Sequence, residues 1–397
     1  MRARALLVLN AGSSSLKFQA FELAERDGGL RPWLRGQVSG LPTRPRFTLD
    51  DADGPDVADQ PLPPDVAHDE GARLAFLRDR IAERLGGAQV VAVGHRVVHG
   101  GASHTAPVRV DAALLDHLET LVPLAPLHQP FNLSPMRALL GALPELPQVA
   151  CFDTAFHQGQ ALRTQLLGLP YELHEAGVRR YGFHGLSYEY IAGRLGELSP
   201  ALAAGRVVVA HLGSGASMCA LRAGRSVDTT MGFSALDGLP MGTRPGSLDA
   251  GALLWLMRER GMDVEALEDL LYRDSGLLGV SGVSNDMRAL LASDAPRAEL
   301  AVDWFAWRAA QELAALAVSL GGLDALVFTA GIGENSPQVR ARICEHAAWM
   351  GLRVDPAANA GGGPRIDVGG TPSVWVLPTN EEAMIARHTR DVLGLGG

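Results

Sequence analysis

Lysine is almost missing from this chain. Of its 35 basic residues all but one are arginine, and the exception is Lys17. A drift towards arginine that spares one position points to a site needing a compact ammonium, although a lone survivor is also compatible with chance. Cysteine is scarce as well. Cys151, Cys219 and Cys344 are odd in number and far apart, which argues against a disulfide framework or a zinc spacing and for a reducing cytosol. Net charge is −9 and no basic block occurs. That speaks against nucleic acid, whose binding leans on clustered Lys and Arg, but leaves room for an anion held by a few placed arginines. Long apolar runs are missing too. The opening "MRARALLVLN" is too short for a signal peptide, and "LAALAVSLGGLDALVF" is broken by Gly321, Gly322 and Asp324, so no membrane span is expected. The common nucleotide signatures are likewise absent. A Walker A loop needs Gly directly before Lys, and Leu16 stands there. Gly-x-Gly pairs at 213/215 and 331/333 are not completed to a dinucleotide fingerprint. Neither His-Arg-Asp nor Asp-Phe-Gly occurs.

What is present is a two-domain length, 397 residues, with 47% hydrophobic content. Apolar runs at 5–9 and 17–23 flank a Gly-Ser turn and predict a hairpin. Residues 40–68, dense in Pro, Asp and Gly, read as surface loops with at most one short strand. A helix over 70–87, a buried strand over 88–101, helices near 111–121 and 134–143 and a strand over 147–156 follow. The opening pattern returns at 205–228 ("VVVAHLGSGASMCALR") as strand, Gly-Ser turn, strand. It returns again at 325–336 ("ALVFTAGIGENS") as strand, Gly loop, helix. Helices near 249–260, 297–320, 337–349 and 380–394 complete the chain, with Trp304 and Trp307 read as packing residues. A duplicated α/β architecture explains the repeat.

Three strand-ending turns, "NAGSSSLK", "HLGSG" and "GIGEN", are each weak signals. In a duplicated fold they would converge on one polyanion, cradled by backbone N–H groups. "GHRVVHGG" puts Arg96 at the end of a buried strand, where it must find a carboxylate or a phosphate; an internal salt bridge and a substrate contact are both open. The His95/His99 spacing would suit a metal on a helix, but the run reads as a strand with no third ligand, so metal is not expected there. Asp153 and His157 in "FDTAFH" and His184 in "YGFHG" are polar groups among aromatics. Arg244 lies in a Gly-Pro loop before a helix. Asp286 and Arg288 can meet a ribose or base edge, or pair with neighbours. "TNEEAMIA" reads as a helix N-cap with Glu381 in its first turn.

Together "LNAGSSSLKFQ", "GHRVVHGG", "LAPLHQP", "FDTAFH", "YGFHGLSYEYI", "HLGSGAS", "DTTMGFSALDGLPMGTRPG", "SGVSNDMR", "FTAGIGENS" and "TNEEAMIA" resemble the acetate kinase family, in the family's order from residue 7 to 386. The resemblance implies two duplicated actin-like ATPase (ribonuclease H-like) domains with a cleft between them. The first spans 1–149 plus 381–397 and the second 150–380. It implies a cytoplasmic homodimer using ATP, acetate and Mg²⁺, which Mn²⁺ can replace. Roles carry over position by position. Asn10 and Glu381 resemble the metal contacts and Lys17 an ATP contact. Arg96 resembles the substrate arginine, with Val98, Leu127 and Phe183 around the acyl methyl. Asp153, His184 and Arg244 resemble the catalytic residues. His211, Leu212, Gly213, Ser214 and Gly215 resemble a nucleotide loop, as do Asp286, Met287 and Arg288, and then Gly331, Ile332, Gly333, Glu334 and Asn335. Three departures stand out: Ser214 for the family's Asn, Ala235 for its acyl-pocket Pro, and Ser247 for an acid. The smaller Ala235 makes propionate a rival substrate. A non-catalytic nucleotide-binding regulator on the same fold is the remaining alternative.

Overall fold

The structure, a computed structural model, describes residues 3–12, 15–24, 29–41, 45–51 and 58–395. The chain forms two compact units, Met1–Ala155 with Asn380–Gly397, and Phe156–Thr379. Each is built on one mixed sheet.

The first sheet grows from β1 (Arg4–Ala11), β2 (Ser15–Leu23), β3 (Leu30–Ser39), β4 (Arg46–Asp51), β5 (Ala58–Pro61), β6 (Gln89–Val97), β7 (Val108–Arg109) and β8 (Gln148–Phe152). Their order is β5-β4-β3-β2-β1-β6-β8-β7. The β1–β2 and β2–β3 pairs are antiparallel, and β1–β6 and β6–β8 are parallel. The second sheet contains β9 (Arg206–Leu212), β10 (Ala216–Arg222), β11 (Arg225–Thr229), β12 (Ala325–Thr329) and β13 (Ser373–Val376) in the order β11-β10-β9-β12-β13. Again the first three pair antiparallel and the last two add in parallel. The repeated order, hairpins on one side and parallel strands on the other, is that of the actin-like ATPase fold. The parallel strands read as continuous apolar runs because helices cover both faces. All of β8 and β12 is buried.

The C-terminal helix Glu381–Val392 lies against β1, β6 and β8. Contact is closest at Gly94, where an added Cβ would sit 2.3 Å from Thr389 Oγ1 and 2.7 Å from Ile385 Cγ2. Only glycine lets the helix approach that far, and this seats Glu381 near the end of β6. Asn380 caps the helix by accepting from Ala383 N at 2.8 Å.

Several expectations shift. The first unit ends at Ala155, not at 149, because β8 pairs with β6 and belongs to the first sheet. Asn380 goes with the helix it caps. The 40–68 stretch holds two strands, β4 and β5, and β3 was not foreseen; its mixed pattern hides the alternation. "GIGEN" is a short helix, Ala330–Asn335, entered directly from β12. Trp307 is 45% exposed and is not a core residue. Ser13 and Ser14 of the first turn lie outside the described residues. Among the described residues no helix is long and apolar enough to cross a membrane.

Candidate active site

In open α/β sheets ligands gather beyond the carboxyl ends of the parallel strands. In the first unit those ends carry Asn10 on β1, Arg96 on β6 and Asp153 just after β8. Arg96 donates from Nε to Asp153 Oδ1 at 3.0 Å and from Nη2 to Oδ2 at 2.5 Å. Such a fork fixes both planes. Arg96 Nη1 also reaches Asn10 Oδ1 at 3.4 Å, and Glu381 Oε2 lies 3.8 Å from Arg96 Nε. Asn10 donates to Glu382 Oε1 at 3.3 Å. Burial opposes the charge on Arg96, but Asp153, Glu381 and Glu382 outweigh it and raise its pKa above the ordinary value. Glu381 is pushed up to about 7 by burial and by Asp153 and Glu382, against the pull of Arg96 and Lys17. Lys17 is exposed on β2, directly opposite Asn10 in the ladder.

This donor set fits a divalent cation. Asn10, Glu381 and Glu382 offer hard oxygens, and the carboxyl groups of Asp153, Glu381 and Glu382 all lie near the Arg96 guanidinium. Among the described residues no cluster of three or more His, Cys, Asp or Glu forms a metal cage. Mg²⁺ needs none, since it keeps waters and leans on substrate phosphates.

The β6 end is held by residues the sequence reading did not single out. Asn132 accepts from Val98 N at 2.8 Å and donates to Ala11 O at 2.5 Å, joining the ends of β6 and β1. Gln129 brackets His99 through its backbone N–H and C=O at 3.2 and 3.0 Å. Thr154 accepts from Gly100 N at 3.1 Å. These side chains replace a ladder where the chain leaves the sheet. The only sequence signal was a pair of amides, Gln129 and Asn132, in the first turn of a mostly apolar helix. Val98 is buried and Leu127 half-buried in this unit.

The second unit has its arginine–carboxylate fork elsewhere, Arg206 to Asp324 at the start of β9, and among the described residues none at the carboxyl ends of its parallel strands. His184 caps the helix Gly185–Leu198 with a left-handed backbone, φ 57°. Its ring stacks on His211 at the end of β9, centroids 4.2 Å apart and 16° between planes. An added Cβ on Gly215 would sit 3.2 Å from His184 Nε2 and 3.1 Å from Arg244 Nη2. On Gly213 it would sit 3.8 Å from His211 Nε2. Two imidazoles and a guanidinium thus gather around the Gly213–Gly215 turn. Burial lowers the Arg244 pKa and Tyr272 acts the other way. Arg244 Nη1 donates to Ala235 O at 2.8 Å, and among the described residues no carboxylate pairs with it. Phe183 is buried, and its carbonyl accepts from His157 Nε2 at 2.9 Å. His157 is therefore a support for the His184 segment rather than a poised group. Its pKa is lowered to about 4 by burial, so it is neutral.

A cavity of about 780 Å³ opens beside this turn. Gly213, Ser214, Asp286, Met287, Arg288, Gly331, Ile332 and Asn335 line it, with Leu277 and Phe305 as apolar wall. Two of the three Gly turns thus face one hollow of nucleotide size. Not every expected contact points into it. Leu212 is fully buried, so only its backbone can serve a ligand. Glu334 turns inward, accepting from Ala330 N at 2.8 Å and Thr379 N at 3.1 Å. Buried Arg340 donates to the Gly333 and Glu334 carbonyls at 2.9 Å each and fixes the same helix. Asp286 and Arg288 pair with each other at 2.7 Å, in solvent. Ser247 donates to Asp237 Oδ1 at 2.7 Å. An acid there would face the like charge of Asp237.

A family model described as the Acetokinase family matches residues 5–387. This chain belongs to the acetokinase family. It is 54% identical over 386 residues to an acetate kinase of Rhizobium meliloti, covering 97% of each chain. With an acetate kinase of Nitrobacter hamburgensis it shares 52% over 395 residues, 98% of this chain and 96% of that one. Among solved structures, a propionate kinase from Francisella tularensis superposes with a TM-score of 0.90 at 34% identity, over 99% of this chain and 100% of that one. The Porphyromonas gingivalis acetate kinase gives 0.86 at 34%, over 98% and 100%.

Proposed function

We infer that this chain catalyses the reversible, Mg²⁺-dependent transfer of the ATP γ-phosphate to the carboxylate of acetate, giving acetyl phosphate and ADP. The observation that carries this is Arg244, a half-buried arginine. It has no carboxylate partner among the described residues, and it lies with His184 against Gly215 beside the nucleotide-sized cavity. A guanidinium so placed awaits an anion.

Phosphoryl transfer asks for positioning and charge neutralisation. The nucleotide lies in the cavity with its phosphates on the Gly213–Gly215 turn. Arg244 and His184 donate to equatorial phosphoryl oxygens as charge develops, contacts each worth up to about 4 kcal/mol of barrier. Arg96, held flat by Asp153, presents its remaining N–H groups to the acetate carboxylate. That nucleophile is already ionised at pH 7, so no strong base is required and Asp153 acts as an orienting group. Asn10 and Glu381 would hold Mg²⁺, which when bound supplies charge neutralisation at the phosphate oxygens. Lys17, opposite Asn10, adds a further positive charge. Val98, Leu127 and Phe183 are the proposed acyl-methyl contacts.

The same reading includes a homodimer in the cytoplasm. The helix Ala250–Arg260 buries none of its residues and exposes Leu254, Trp255 and Met257, which supports a partner surface. The three buried thiols suit a reducing compartment.

The direct test is acyl phosphate formation, trapped as the hydroxamate, from ATP and Mg²⁺ with acetate, propionate or butyrate. Fastest turnover on acetate is expected. Faster turnover on propionate would favour the second reading, which rests on Ala235 and on the Francisella propionate kinase likeness. ATP binding without turnover on any acid would remove the enzyme assignment.

A further inference from the structure

The stacked His184 and His211 rings are tied crosswise. His184 Nδ1 lies 2.7 Å from Ser217 Oγ on β10. Ser217 is the direct ladder partner of His211. His211 Nδ1 lies 2.8 Å from Ser187 Oγ, on the helix that His184 caps. Each imidazole is thus anchored by a serine near the other: Ser217 on β10, the strand paired with His211's β9, and Ser187 on the helix that His184 caps. Ser217 is extended by the Tyr188 hydroxyl at 2.5 Å. Ser187, Ser217 and Tyr188 are completely buried, so none is a ligand contact, and the cavity wall does not include them.

A hydroxyl beside an imidazole nitrogen sets the tautomer by the direction of its proton. If Ser217 donates to His184 Nδ1, the ring proton sits on Nε2. Ser217 Oγ then accepts from Tyr188. If the chain runs the other way, Nδ1–H donates to Ser217, Ser217 donates to Tyr188, and Nε2 turns a lone pair outward. Two facts select the first polarity. A phenol is a better proton donor than an aliphatic alcohol, so it belongs at the donating end. The other end, Nε2, lies beside the Gly215 turn together with Arg244 Nη2. A lone pair there repels a phosphoryl oxygen, whereas an N–H attracts it.

We propose that Tyr188 and Ser217 are positioning residues that hold His184 as the Nε2–H tautomer, so that a neutral imidazole donates to the transferring phosphoryl group. This rests on the reading of His184 as a phosphoryl contact. The logic is that of a buried group orienting a catalytic histidine from behind. The left-handed backbone of His184 fits the same purpose. It turns the ring onto Ser217 at the helix start, and a conformation uncommon for a side-chain-bearing residue persists where its surroundings over-determine it.

The test combines nitrogen-15 spectra of histidine-labelled protein with kinetics. The His184 signals are assigned by their loss in His184→Gln. With Mg²⁺, ADP, acetate and aluminium fluoride bound, His184 is expected to show a protonated Nε2 and a bare Nδ1. In Ser217→Ala and Tyr188→Phe that pattern shifts towards Nδ1–H or a mixture. kcat falls roughly 10- to 100-fold while KM for ATP and for acetate stay within about twofold. Ser217→Thr, which keeps the hydroxyl, restores most of the rate. Should Ser217→Ala fail to fold, Tyr188→Phe removes one oxygen from a retained ring and carries the test alone. A wild-type His184 protonated on Nδ1, or wild-type kcat in the folded relay variants, overturns the proposal. Wild-type activity in His184→Gln instead overturns the phosphoryl-contact reading beneath it.

Discussion

At the strand ends of the first unit stands an arginine locked by carboxylates. Against the Gly213–Gly215 turn of the second lies a loop arginine, Arg244, with none among the described residues. The two sheets share their strand order, yet Arg96 is forked onto Asp153 with Glu381 at 3.8 Å, while Arg244 makes a hydrogen bond to the Ala235 carbonyl. Their pKa values move in opposite directions, raised for Arg96 by Asp153, Glu381 and Glu382 against burial and lowered for Arg244 by burial. The same side chain therefore has two physical roles. Arg96 is a pre-oriented donor whose charge is already balanced, suited to a carboxylate that comes and goes. Arg244 is a half-buried cation with no carboxylate partner among the described residues, and on the proposed reading an incoming phosphoryl group would supply the missing anion. Stability and activity should therefore separate at one position and not at the other.

The largest effects come from replacing each arginine by methionine, which keeps much of the stem. Both Arg96→Met and Arg244→Met should lower kcat/KM by about 10³-fold or more. Only Arg96→Met should also destabilise the fold, by roughly 3–5 kcal/mol, because it leaves Asp153 buried and unpaired. Arg244→Met removes a half-buried charge with no carboxylate partner among the described residues and should leave denaturant stability unchanged or raised. Equal stability losses in chemical denaturation would erase the distinction between the units. Next in size is Gly215→Ala. The new methyl would meet the far ends of Arg244 and His184 at 3.1 and 3.2 Å, so those tips must move while the backbone need not. A fall in kcat of about 10²-fold with a near-native melting temperature is expected. Loss of the fold instead would show that the turn, and not the two tips, sets the constraint. Lys17→Arg should be milder, about tenfold in kcat/KM for ATP, since Lys17 is exposed and stands opposite Asn10 rather than inside an ion pair. Full activity in this variant would make the survival of a single lysine an accident of composition.

The repeated strand–turn–strand pattern was legible because apolar runs bounded by small Gly-Ser turns survive in the letters. Arg96, Asp153, His184 and Arg244 stood out as candidates, since polar groups at the end of buried strands or in Gly-rich turns do, and the structure gathers Arg96 with Asp153 and His184 with Arg244. What was not legible is what holds those tips. Asn132 joins Val98 N to Ala11 O across 121 residues of chain, and Ser217 reaches His184 across 33. No local period encodes such pairings. Glu334 looked like a nucleotide contact because it sits in "GIGEN"; only the fold shows its carboxylate turned onto Ala330 N and Thr379 N. The His95/His99 pair was read as non-metal because the run is a strand. The structure adds that His99 is bracketed by Gln129.

Two buried histidines, one in each unit, sharpen the comparison in acid. His95 on β6 and His157 are each lowered to about 4, chiefly by burial, with Gln148 and the Phe183 carbonyl respectively acting the other way. Both are neutral when folded, and the unfolded chain takes up protons first. Each therefore stabilises the native state least in acid. Its contribution falls as pH drops through about 6.5, and the loss is complete near pH 4, at roughly 3 kcal/mol per group as an upper figure. The two differ in what they touch. His157 donates to the Phe183 carbonyl and contacts Ser226 at 2.8 Å, so it supports the His184 segment. Neither ring nitrogen of His95 has a well-formed hydrogen bond among the described residues. His95→Leu should thus flatten the loss of stability between pH 6.5 and 4 and leave kcat at neutral pH unchanged. His157→Leu should flatten it similarly but cost activity, because the Phe183 carbonyl loses its donor. Urea titrations from pH 4 to pH 8 with parallel rate measurements decide this. An unchanged acid slope in His95→Leu would mean that its buried ring is hydrated or paired in solution, and an unchanged rate in His157→Leu that the His184 segment holds itself.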